Sequence, residues 1–295
     1  RYELAKSRLV FYKHKVVSSL TDYLTDFETG MAISGTKVIY VKDAEEAVNE
    51  ISKLIEKDRN IFINRDRLIE EIALASFLSK KNIQFHDSRF SDFPYQVLPY
   101  PASSFWQMIA KKLNIDDIQN QPNQLLSLYK SQLLESAFKD AIYVSGADFI
   151  VSDPAAVVIL ENEGIGNLLS AFCKKHVIVA GIDQMIASIS ELDYFTSLYA
   201  AHVQGNLSVW NQTLFFGPKK ANEADGPDEM YVILIDNGRT RLLKEEFQRS
   251  VFHCIHCGAC TALCPVFKHV NSSHGQLSGP LDCVISPIRD GFENS

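Results

Sequence analysis

Short apolar runs separated by stretches of helical period constrain this chain more than any other feature. KVIYVK at 37–42, NIFIN at 60–64 and IQFHD at 83–87 read as strands. Between them lie DAEEAVNEISKLIEK, opened by Asp43, and RDRLIEEIALASFLSKK, both with apolar residues at helical spacing. Strands alternating with helices of this length form βαβ units and a largely parallel sheet. Residues 1–30 predict a long N-terminal helix stopped at Gly35. Residues 88–125, rich in Pro, Ser, Asn and Gln, predict an irregular excursion with one or two helices. The pattern resumes with ADFIVSDPAAVVILENEG, two strands hinged at Asp153-Pro154, and HVIVAG at 176–181. A helix near 183–204, the strands TLFFGP and MYVILID, and a helical tail from KEEFQRSVFHC follow. The expected fold class is α/β, with one domain over 1–243 and a small C-terminal region over 244–295.

Composition narrows the function classes. At 295 residues and 46% hydrophobic, the chain is long enough to bury a core without covalent staples. Its net charge of -7 argues against a nucleic acid partner, which requires clustered Lys and Arg to displace counterions. No apolar run approaches the roughly 20 residues that span a bilayer, so no membrane span is expected. RYELAKSRLVFYKHK is too charged for a signal peptide, and a cytoplasmic location is expected. The first residue is Arg rather than Met, which reads as a trimmed N-terminus.

The cysteines are a local device: the first 172 positions hold none, and four fall in HCIHCGACTALCPVFKH at 253–269. Cys254, Cys257, Cys260 and Cys264, followed by Pro265, form the C-x2-C-x2-C-x3-C-P run of bacterial iron-sulfur proteins. Gly258 and Ala259 are small enough for the backbone to wrap a cluster. Zinc sites favour two separated C-x2-4-C pairs, and disulfides need an oxidising compartment, so these are the weaker alternatives. In such runs three thiolates take one cluster and the fourth serves a neighbour. Cys283, in GPLDCVISP, is a substitute ligand or a small residue after a turn, and Cys173 reads as a buried helix position. His253, His256 and His269 read as exposed neighbours of the cluster loop.

Taken together, the cysteine run, GPKKANEADGPDEMYVILIDNGRTRLL at 217–243 and SGADFIVSDPAAVVILENEG at 145–164 resemble the LutB-type iron-sulfur proteins of bacterial lactate utilisation. The resemblance covers nearly the whole chain, including DAEEA and the helix with Glu70 and Glu71. It implies a LUD domain similar to the α/β fold of sugar-phosphate isomerases and coenzyme A transferases, followed by a helical ferredoxin-like region. It also implies a three-protein system that oxidises L-lactate to pyruvate, in which this subunit carries electrons on [4Fe-4S] clusters to an electron carrier. Relatives of this type carry a second cysteine run, so the 295 residues read as a shortened form. No flavin site is visible, and any flavin required falls to a partner subunit.

Within the LUD part, Glu161 and Glu163 are two apart on a predicted strand, so their carboxylates share a face if the strand continues. One of them is a candidate catalytic acid or base, and the alternative is a solvated pair at a strand end. Asn162, Gly164 and Gly166 form a candidate ligand loop, because free amides where a strand meets a helix can cradle an anion. A plain turn is the competing reading, and Leu169 occupies the third glycine position of a dinucleotide fingerprint. Where the family has a Thr-Gly-Thr/Ser element, this chain has Pro154-Ala155-Ala156, which removes two hydroxyl donors. Asp225-Gly226-Pro227-Asp228 and Asp236-Asn237-Gly238-Arg239 have tight-turn composition, and Asn-Gly is a hairpin signal. No hydrolase elbow, Walker loop or zinc-protease helix is present.

Three readings follow. In the first, the chain is an electron-transfer subunit of an oxidoreductase complex rather than an enzyme alone. In the second, the LUD domain is a transferase or isomerase relative with Glu161 or Glu163 in a deep pocket. In the third, it is a ligand-free scaffold whose tail is an assembly hook.

Overall fold

The computed structural model describes residues 2–55, 60–64, 66–88, 140–161, 164–203, 211–246, 248–266 and 280–289, with a few positions between 127 and 135. The excursion expected over 88–125, Asn162, Glu163 and His269 lie outside the described residues, Ser88 excepted. Among the described residues the strands are β1 (Lys37–Val41), β2 (Ile61–Ile63), β3 (His86–Asp87), β4 (Ile142–Gly146), β5 (Phe149–Asp153), β6 (Ala156–Glu161), β7 (Lys175–Gly181), β8 (Met185–Ser188), β9 (Asn211–Phe215) and β10 (Glu229–Ile235). Six of them form one sheet in the order β1-β10-β7-β4-β2-β3, with every pairing parallel. The other four form a second sheet, β8-β5-β6-β9, in which β5 and β8 run parallel and the remaining pairs antiparallel. The fold is α/β with a mostly parallel main sheet.

Helix α1 (Tyr2–Ser18) and α2 (Leu20–Ile33) replace the single N-terminal helix expected, with the break at Ser19. Helix α3 (Ala44–Leu54) starts where the sequence places it, because the Asp43 carboxylate accepts from the Glu46 amide and satisfies a free donor of the first turn. The next helical stretch splits into α4 (Arg67–Glu71) and α5 (Leu74–Lys80), with Ala73 left-handed between them (φ 52). The remaining helices among the described residues are α6 (Ile165–Phe172), α7 (Leu192–Val203), α8 (Arg239–Lys244), α9 (Ala259–Leu263) and α10 (Pro280–Arg289).

Three apolar layers hold these elements together. Ala47, Val48 and Ile51 of α3, with Leu68, Leu74 and Leu78, cover one face of the main sheet through Ile63, Val144, Val177 and Ile233. On the opposite face, Ile178, Val232 and Leu234 meet Phe27 and Met31 of α2 and Ile150 and Val157 of the second sheet. Leu192, Phe195 and Leu198 of α7, with Leu9, close the outside of that second sheet. The middle layer also takes in Leu242, Phe252 and Ile285, so the C-terminal segment shares the core of the sheets. Burying a side chain such as Phe252 contributes about 2–3 kcal/mol. The expected boundary at Leu243 falls inside α8.

Two strands escaped the sequence. IYVSG forms β4 directly ahead of β5, and MIAS forms β8 inside the stretch expected to be helical up to residue 204. Asn237-Gly238 is no hairpin: both residues have positive φ (44 and 88) and turn the chain from parallel strand β10 into α8.

Candidate functional site

All six strands of the main sheet point their carboxyl ends the same way, and this is the edge where open α/β sheets place ligands. The residues just past those ends are charged or polar: Asp66 and Arg67 after β2, Asp148 after β4, Asp183 after β7, and Asp236, Asn237 and Arg239 after β10. Gly146 and Gly181 end β4 and β7 without side chains for a steric reason. A Cβ on Gly146 would run into the Asp66 carboxylate, and one on Gly181 into Asp183 and Arg239.

Arg239 is the centre of the arrangement, 1% exposed. Its Nη1 and Nη2 donate to the two oxygens of Glu71 at 2.9 and 3.0 Å, and its Nε donates to Asp183 Oδ1 at 2.6 Å. Asn237 Nδ2 donates to Glu71 Oε1 at 2.7 Å, and Arg67 Nη1 to Glu71 Oε2 at 3.2 Å. Burial works to raise Glu71, but Arg239, Arg67 and Asn237 outweigh it and hold the carboxyl at about 2. Burial likewise opposes ionisation of Asp183, and the charges of Arg239 and His256 hold it well below the usual carboxylate range. Lys13, reaching in from α1, donates from Nζ to the Asp183 carbonyl at 2.6 Å, and burial brings it down to about 8.

The cysteine loop sits on this edge. His256 Nε2 donates to Asp183 Oδ2 at 2.6 Å, and the backbone N–H of His256 donates to Cys254 Sγ at 3.3 Å. The His256 side chain is 8% exposed, which corrects the expectation that it is an exposed neighbour of the loop. His256 and Gly258 adopt left-handed backbone (φ 55 and 73), winding the chain around the thiols before α9 begins. Burial raises the Cys254 thiol, yet the charge and hydrogen bonds of His256 and the charge of Arg67 overcome it and bring the group to about 7. Cys257 is pushed up by burial and then by the adjacent Cys254 and Cys260 thiols. Cys254, Cys257 and Cys264 are half-buried, and Cys260 is exposed; all are free thiols.

These residues suit an iron-sulfur cluster in donor type, loop winding and the N–H···S bond to Cys254. Among the described residues, no group of three or more His, Cys, Asp or Glu side chains closes to metal-binding distance. Cys283 is exposed on α10, and Cys173 is buried as expected, its thiol pushed up to about 12 by burial.

The residues chosen in the LUD part come together elsewhere. Glu161 ends β6, and its oxygens accept from the amides of Gly166 (2.7 Å) and Asn167 (2.6 Å) at the start of α6. Of the amides expected to cradle a ligand, that of Gly166 holds the carboxylate of the chain's own Glu161, together with the amide of Asn167. Burial raises the Glu161 pKa, and these amide bonds restrain the rise. Gly164 precedes α6 in left-handed conformation (φ 69). Behind it lies a buried polar group in which Ser145 Oγ and His176 Nε2 are 2.8 Å apart and Tyr143 stacks on His176. Burial takes His176 down to about 3, so its ring is neutral. A cleft of about 590 Å³ opens between the start of α2 and the ends of β1 and β10, lined by Ser19, Asp22, Glu28, Tyr40 and Thr240, and not by Glu161.

The sequence missed Arg239, Asp183 and Glu71 as a unit, since they lie far apart in the chain. A signal was available: charged residues directly after apolar runs mark the carboxyl ends of parallel strands.

Among the described residues no helix is long and apolar enough to cross a membrane. Comparison with known proteins finds 30% identity to lactate utilization protein B of Bacillus subtilis (strain 168) over 96% of this chain and 62% of that protein. The Bacillus velezensis protein of the same name is 29% identical over 95% of this chain and 62% of its own length. The chain thus spans about 62% of the length of these curated relatives. A crystal structure of a DUF162 family protein from Deinococcus radiodurans aligns with a TM-score of 0.45 and 14% identity, covering 73% of this chain and 98% of that one. The sequence profile of the LUD domain matches residues 24–235, and on that match the chain belongs to the LUD domain family.

Proposed function

We propose that the chain is an iron-sulfur electron-transfer subunit of a system that oxidises L-lactate to pyruvate, working with partner subunits rather than alone. The observation that carries this reading is the loop of four free thiols seated on the carboxyl edge of the sheet, with an amide donated to Cys254 Sγ. The name of the relatives supports the lactate assignment. Cys254, Cys257 and Cys260 would hold one [4Fe-4S] cluster, and Cys264 would serve a neighbouring one. Such a cluster exchanges one electron at a time, whereas a 2-hydroxy acid gives up two electrons and two protons on oxidation to the ketone. A second one-electron centre, in this subunit or a partner, completes the count.

The chain's own residues perform the remaining tasks. The His256 amide offers a donor to the Cys254 sulfur, and Arg67 and Lys13 place positive charge near it. Exposed Cys260 marks the side facing an electron carrier. Residues 1–243 act as the platform and 244–295 as the redox segment.

The test is iron and acid-labile sulfide after anaerobic purification of the full-length gene product. Matching amounts, about four of each per cluster, are expected. Zinc without sulfide, or no metal, would overturn the reading and move attention to the carboxylates of the LUD part.

A further inference from the structure

The carboxyl edge of a parallel sheet is where substrates bind in many α/β enzymes, yet here its buried charges converge on a piece of the same chain. Arg239 fixes the Asp183 carboxylate through Oδ1, and Lys13 fixes the Asp183 carbonyl, so Asp183 has little freedom. Its second oxygen, Oδ2, points at His256, and the His256 amide points at Cys254 Sγ. His256 takes up a left-handed conformation to make both contacts, an arrangement unfavourable for a residue with a side chain unless its surroundings hold it. Its other ring nitrogen, Nδ1, is buried without a hydrogen-bond partner. The ring is anchored to the sheet edge through Nε2, by Asp183.

We propose that Asp183 and His256 are a positioning pair that seats the Cys254–Cys257 limb of the cysteine loop on the sheet edge, making this edge the receptor for the loop. The role as a cluster seat rests on the electron-transfer reading above; the docking of the loop does not. The pair acts by fixing His256, whose backbone N–H and side chain both bear on the Cys254 thiol. The LUD domain accordingly contributes to electron transfer by holding one thiolate in place and in a donor-rich, cationic setting.

The experiment compares the wild-type chain with His256→Ala, His256→Gln and Asp183→Asn. Hydrogen exchange is followed in the metal-free protein, and the midpoint potential is measured after anaerobic reconstitution. In His256→Ala the amides of residues 253–258 are expected to exchange about tenfold faster, while those of β7 and β10 stay unchanged. His256→Gln, which can still donate to Asp183, restores most of the protection. Asp183→Asn loosens the same amides, and where it also loosens the sheet the histidine pair of variants decides. The potential of a cluster bound by His256→Ala falls, because a less ordered amide donor stabilises the reduced cluster less, and the Gln variant recovers part of the fall. Unchanged exchange at 253–258 in His256→Ala, or an unmoved potential, overturns the proposal. A wild-type chain without iron whose loop still loosens in His256→Ala sinks the electron-transfer reading and leaves the docking intact. An iron-loaded wild type with an indifferent loop sinks the positioning pair alone.

Discussion

At one end of the molecule Glu71 and Asp183 are buried against Arg239, Arg67 and His256, while at another Glu161 is buried against two backbone amides. Side-chain cations neutralise the first pair, and they come from segments up to 168 positions away in sequence. Local amides five and six residues downstream satisfy the second. A carboxylate held by distant cations couples the segments that supply them, so the sheet edge ties β7, α4, α8 and the cysteine loop into one unit. A carboxylate held chiefly by its own helix, with Lys130 adding only a charge nearby, couples little beyond that turn. This difference is why the sheet edge, rather than the Glu161 turn, is the better seat for chemistry that must be tied to the rest of the fold.

Replacing Arg239 by Met should break the first arrangement most severely. It strands two carboxylates in a dry site and is expected to cost about 3–5 kcal/mol in denaturant unfolding. A loss under ~1 kcal/mol would mean that the edge is far more hydrated than its burial indicates. Asp148, on the same edge, gives a pH-dependent contrast. Burial pushes its carboxyl up to about 7, against the Leu160 amide that pulls it down. Because the folded-state value is raised, the stability associated with its proton is full below the ordinary carboxylate range and is lost as pH rises through about 7. Asp148→Asn cannot ionise, so its advantage over wild type should be absent near pH 3.5 and reach about 4 kcal/mol by pH 8. Equal stabilities at both pH values would show that Asp148 is solvated. The mildest effect is expected at the other end: Glu161→Ala frees two amides at the start of α6 and should cost about 1–2 kcal/mol, with Glu161→Gln costing less. A change in iron content on Glu161→Ala would contradict the separation of the two regions.

Much of the fold was legible because its signals are local. Asp43 announces α3, and the Val and Ile runs announce β1, β7 and β10. Strand β4 was hidden because IYVSG and ADFIVSD read as one region, with only Gly146 and Ala147 to mark the change from one sheet to the other. Strand β8 was hidden because three apolar residues and a serine fit a helix as well as a strand. The cysteine loop stands out in the sequence because its reading rests on spacing alone. Its seat does not, because His256 gains its role only when β7, more than 70 positions earlier, delivers Asp183 to the same edge. Glu161 stood out in the sequence as a candidate acid or base at a strand end, but its amide partners become visible only once α6 is placed.

The order of the strands bears on how the molecule is made. Among the described residues β1 has a single sheet neighbour, β10, so β1 stays unpaired in the sheet until Ile235 has been synthesised. Pairings this distant in sequence close late. Cys254 follows soon after Ile235, so the loop of four thiols is synthesised just as the sheet edge that receives it has been completed.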